Sequence, residues 1–103
     1  MTYAIYHTHT FDRNLERMPK DFREWVDKME CQLVENPYVG DQIRVPWFRE
    51  KKKDKYRFYY LIYEELKAVY VVGISAKKDQ QAVINAIWLL LEHFKEEIKN
   101  LVH

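Results

Sequence analysis

Hydrophobic positions change period along this chain, and each change marks a predicted element. Residues 2–7 alternate, with Tyr3 and Ile5 on one face and Ala4 and Tyr6 on the other, which predicts a short first strand. Thr10 or Asp12 can cap a short helix over residues 11–17, and Pro19 suits the first turn of a second helix over about residues 20–35. In that second helix Phe22, Trp25, Val26, Met29 and Leu33 keep a three-four spacing that makes one buried stripe. Arg23, Glu24, Asp27, Lys28 and Glu30 form its polar face. Cys31 lies near the stripe and reads as a small buried hydrophobe. Asn36-Pro37 and Gly40 end the helix.

Residues 42–48 are a further strand candidate, edge or broken, because Pro46 removes a ladder donor. Residues 56–63 are the clearest strand: Tyr56, Phe58, Tyr60 and Ile62 share an apolar face assigned to the helix-packed core, while Arg57, Tyr59 and Tyr63 share the other. Glu64-Glu65-Leu66-Lys67 supplies a turn, and residues 68–75, almost wholly apolar, form a central strand that pairs back as an antiparallel hairpin. Asp79 caps a last helical pattern, in which Ile84, Ile87, Trp88, Leu91, Phe94, Ile98 and Leu101 keep the three-four spacing. A helix of about 24 residues reaches roughly 36 Å and overshoots the sheet. Its distal strip, Phe94, Ile98 and Leu101, is then exposed, which predicts homodimerisation or docking of a partner helix. The order is β-α-α-β-β-β-α: an α+β fold over residues 1–103 as one domain, two N-terminal helices on one face of an antiparallel sheet, and a long C-terminal helix over about residues 79–102.

Composition narrows the class. Two Gly and three Pro among 103 residues argue against disorder and against an all-β fold of tight turns. The longest purely apolar run, residues 87–91, is far too short to cross a bilayer, and residues 1–9 lack the features of a signal peptide. A single cysteine excludes an internal disulfide and suits a reducing cytoplasm, so a cytoplasmic location without membrane association is expected.

The formal net charge of +1 hides an uneven distribution. Arg44, Arg49, Lys51, Lys52, Lys53, Lys55 and Arg57 face only Glu50 and Asp54 in that stretch. Such a run alone is usually a solvated hairpin, but here it adjoins Tyr59 and Tyr63 on a strand. Cations for phosphates and aromatic planes for stacking are what a polyanion with flat bases requires. His7-Thr8-His9 has no nearby Cys or carboxylate cluster to complete a ligand set, so no metal or other cofactor is expected.

The element order, the helix ending in Asn36-Pro37 with Gly40 behind it, the Tyr56-Arg57 pair opening a strand, and Ile74 leading to Lys77-Lys78-Asp79-Gln80-Gln81 together resemble the RelE/ParE toxin superfamily of type II toxin–antitoxin modules over roughly residues 2–85. The resemblance implies a toxin neutralised by a cognate antitoxin. It also implies one of two activities: RelE-like, metal-free cleavage of mRNA at the ribosome, or ParE-like, non-catalytic inhibition of DNA gyrase. In the nuclease branch a 2′-hydroxyl attacks its adjacent phosphate, so a proton must leave, charge must be stabilised and the leaving oxygen must be protonated. Arg57 matches the strand arginine of the family and would hold the scissile phosphate, and Lys78 matches the basic residue after the last strand. One of Lys51, Lys52 or Lys53 stands for the preceding strand, with Lys52 as first choice. Arg49, Lys51, Lys53, Lys55 and Lys77 would hold RNA. Tyr59 and Tyr63 either stack on bases, at about 1–3 kcal/mol each, or merely cover the sheet or touch the antitoxin. The pattern departs from the family near Ile84, where a Tyr or His would supply acid–base chemistry; His93 lies more than two turns further on. That departure favours a ParE-like or inactive member.

Overall fold

The computed structural model describes residues 2–102. A five-stranded sheet carries two helices on each face, and its strand order is β1-β5-β4-β3-β2. β1 (Ala4–His7) leads into α1 (His9–Glu16). The cap is Thr8, whose Oγ1 accepts from the Phe11 amide at 3.0 Å, rather than Thr10 or Asp12. α2 (Lys20–Glu35) ends where the Asn36 side chain accepts from the Tyr38 amide and opens a single 3-10 turn, Pro37–Val39.

The segment read as one strand broken at Pro46 breaks earlier. Arg44 takes a left-handed conformation (φ 64°), and the chain reverses there between β2 (Asp41–Ile43) and β3 (Val45–Lys53). Pro46 is harmless inside β3, because it stands opposite a bulge in the β2 ladder and before pairing with β4 begins at Phe48. β3 then runs on through the lysines. Asp54 (φ 56°) and Lys55 connect it to β4 (Tyr56–Tyr63), and a turn ending at Lys67 (φ 50°) leads to β5 (Ala68–Ala76). β5 is central. It pairs antiparallel with β4 and parallel with β1, so the sheet is mixed at one edge rather than antiparallel throughout.

Phe11, Phe22, Val26 and Leu33 of α1 and α2 pack on Phe58, Tyr60, Ile62, Val69 and Val71, the face expected to be core. The opposite face is covered as well. The C-terminal helix is not continuous. It divides at Leu90 into α3 (Gln80–Leu89) and α4 (Leu91–Val102), and α4 folds back onto the sheet. Phe94 and Ile98, expected in an exposed dimer strip, are 7% and 0% exposed against Tyr70 and its neighbours. Burying such side chains stabilises the chain by about 1.5–3 kcal/mol each, which outweighs the hydrogen bonds lost at the break. Leu89, 84% exposed, and Leu101 stay outside. Gly73 lets α3 approach β5 closely: a Cβ there would lie 3.3 Å from Ile87 Cδ1. Cys31 is exposed rather than buried, because it points away from the α2 stripe.

Candidate functional site

Pleating sorts the basic run onto two faces. Lys52 is the cross-strand partner of Arg57, which is itself opposite Ser75 of β5; Glu50 is likewise opposite Tyr59, opposite Gly73. These residues lie on the α3 side. Lys51, opposite Phe58, and Lys53, opposite Tyr56, lie on the α2 side.

At the centre of the α3 side is a buried polar nest. Arg57 and Glu50 are 6% and 7% exposed, with guanidinium and carboxylate 4.0 Å apart. The Gln80 amide, at the first residue of α3, donates to both Glu50 oxygens at 3.2 and 3.3 Å. Tyr59 and Ser75 hydroxyls meet at 2.7 Å, and burial pushes the Tyr59 phenol above its ordinary pKa. Arg57 Nε is buried and has no hydrogen-bond partner. The guanidinium thus keeps one unused donor beside a carboxylate.

The rim is cationic. Lys52 is exposed, 3.9 Å from Asp41. After β5 a single 3-10 turn, Lys77–Asp79, is tied to the hairpin tip by the Lys77 amide donating to the Lys55 carbonyl at 2.7 Å. Lys55, Tyr56, Ala76, Lys77 and Lys78 line an open depression of about 680 Å³ there. Arg57, Lys52 and Lys78 therefore gather at one end of the sheet, but not as an open hollow: the guanidinium is inside and the two ammonium groups stand at the edge.

Three candidates are placed differently from expectation. Tyr59 is 0% exposed and offers no face to a base. Tyr63 is partly buried against the C-terminal helices, and desolvation raises its phenol pKa. Arg49 is consumed by structure: it donates to the carbonyls of Pro46, Tyr38 and Gly40 at 2.8–3.1 Å and stacks over the Tyr38 ring. Ile84 is in the core, and His93 is an exposed partner of Glu97 on α4. His7 is held by Asp12 at 2.7 Å and Glu30 at 2.5 Å. No group of three or more His, Cys, Asp or Glu among the described residues is arranged to hold a metal. Sequence reasoning missed Glu50, Gln80 and Ser75. Glu50 was legible: once β3 continues to Lys53, the alternation that pairs Lys52 with Arg57 puts Glu50 on the same face.

No family model matches the chain, and no curated protein matches it. Solved structures do. The free E. coli toxin RelE, in a mutant form, superposes at a TM-score of 0.74 with 17% identity over 87% of this chain and 99% of that one. The RelBE2 toxin–antitoxin complex of Mycobacterium tuberculosis gives 0.64 at 22% identity over 74% and 99%. The archaeal RelE–RelB complex of Pyrococcus horikoshii gives 0.67 at 14% over 75% and 97%. The chain has the fold of the RelE toxins.

Proposed function

We propose that this chain is the toxin of a type II toxin–antitoxin module, held by a cognate antitoxin, and that it cleaves mRNA at the ribosome. Several chains of the same fold are solved as toxin–antitoxin complexes, which supports the module. The observation that carries the cleavage reading is the buried Arg57–Glu50 pair at the lysine-rimmed end of the sheet. Glu50 accepts the proton of the attacking 2′-hydroxyl as the O2′–P bond forms. Arg57 and Lys78 hold the charge that builds on the phosphoryl oxygens. Lys52, on the same face, protonates the 5′-oxygen as the P–O5′ bond breaks, leaving a 2′,3′-cyclic phosphate and a 5′-hydroxyl. The reaction so drawn uses side chains alone, and it requires Gln80 to release Glu50 as substrate enters.

Purified protein incubated with ribosome-bound mRNA, with no metal added beyond the magnesium that keeps the ribosome assembled, is expected to cut it, and Arg57→Ala is expected to abolish cutting. Intact mRNA with the unmutated chain would reject the nuclease. One observation favours a second reading: the position near Ile84 carries no acid or base, and Ile84 is buried. A ParE-like inhibitor needs neither, and a gyrase supercoiling assay separates the two, since an inhibitor blocks supercoiling while RNA stays whole.

A further inference from the structure

The half of the β3 basic run turned away from Arg57 has a surface of its own. Lys51 and Lys53 occupy alternate positions on the α2 side of one strand, about 6.6 Å apart. A cleft of about 200 Å³ between α2 and β3 is walled by Trp25, Met29 and Lys51. A second, of about 250 Å³, follows toward the hairpin tip and is walled by Phe22, Lys53 and Tyr56. Lys55 and Tyr56 border both this cleft and the depression that carries Lys77 and Lys78. The three hollows are steps of one course, from the end of β5, round the hairpin tip and along the α2–β3 seam.

The five lysines on that course are free. Ion pairs among the described residues engage Lys52 and Lys67, and none of these five. Four acidic residues border the seam, but Asp41 faces Lys52, Glu50 is held by Arg57 and Gln80, and Asp21 accepts from the Phe22 amide at 2.9 Å; only Asp54, at the turn, stands without a partner among the described residues. Trp25 and Tyr56 are partly exposed between the cations, with Lys55 Nζ 5.4 Å from the Tyr56 ring centre. Unpaired cations interleaved with aromatic surface suit a strand that carries phosphates and also has bases free to stack, which a duplex does not.

We propose that this seam is a track for single-stranded RNA. It rests on the nuclease reading in one respect only, that the strand it holds flanks the bond presented to Arg57.

Fluorescence anisotropy of a labelled, unstructured RNA oligomer against the full chain, across a salt series, tests the track. Lys51→Ser/Lys53→Ser is expected to weaken binding about tenfold and to flatten the slope of log K against log salt by about 1.4, two phosphate contacts at about 0.7 each. Lys51→Arg/Lys53→Arg is expected to preserve both. An unchanged slope in the serine pair overturns the track. So does polyglutamate binding that exceeds RNA binding and is lost in the serine pair, which would assign the seam to an acidic protein segment. The assay reads binding and not cleavage, so the two ideas fail separately. A chain that leaves ribosome-bound mRNA intact but shows the slope change keeps the track and loses the nuclease. A chain that cuts but shows no slope change does the reverse.

Discussion

Arg57 and Glu50 are each more than nine-tenths buried, yet they stand 4.0 Å apart and share one neighbour, Gln80. Desolvation of two charges is expensive, and a pair this loose recovers only part of it. Its value is that each charge makes the other tolerable. Glu50→Ala strands the guanidinium and is expected to cost about 3–5 kcal/mol, read from the urea midpoint. Glu50→Leu with Arg57→Met is expected to cost less than the two single changes together, and additivity within about 0.5 kcal/mol would show that the two are not coupled. His7 is a second residue whose state depends on its company. Burial lowers its pKa, but the hydrogen bonds and charges of Glu30 and then Asp12 outweigh that and leave it raised. These are the carboxylates on the α2 and α1 sides, and the Phe11 ring packs edge-on to the His7 ring with centres 4.9 Å apart. With the folded pKa above the unfolded value of about 6.5, the stabilisation is full below that value and fades as pH climbs through the folded pKa. Urea midpoints should therefore fall as pH rises above about 6.5, and His7→Gln should remove that fall.

Helices and strands show where local pattern ended and tertiary packing took over. The α2 stripe and the alternation of β4 were legible, because a period of 3.6 or 2 is written in the residues themselves; Phe22, Val26 and Leu33 are buried as the spacing predicts. The break at Leu90 was not legible. No Gly or Pro marks it, and the apolar spacing runs through it unbroken. It exists because α4 gains more by covering Tyr70 than by extending into water. Ile98→Ala, at a position with no exposure, is therefore expected to destabilise the whole domain by about 2–5 kcal/mol. Loss of less than about 0.5 kcal/mol in a urea titration would mean that α4 is only loosely held. The same packing explains Tyr59: its strand face was read correctly, but what covers that face is set by the fold of the chain's last third. The basic run was half legible. Stopping the strand candidate at Phe48 hid the alternation beyond it, and with it the division of lysines between two faces.

Taken whole, the molecule is a sheet sheathed on both sides, with five unpaired lysines gathered around the hairpin tip, the α2–β3 seam and the end of β5. That distribution, and not the near-zero net charge, sets what the surface attracts. No helix among the described residues is long and apolar enough to cross a membrane. The mixed sheet was beyond sequence reading, since a strand of four residues carries no record of which neighbour it will choose or in which direction.

That choice has a consequence for biosynthesis. In the sheet Ala4–His7 pairs with β5 alone, and its ladder partners are Ala68 to Val71. A polypeptide is made from its N-terminal side onward, so β1 must wait, unzipped, until about sixty further residues have been added. Contacts so distant along the chain form late and slowly. Stalled chains ending before Ala68 should be cut by protease within residues 2–8, and chains that have cleared Ala76 should resist.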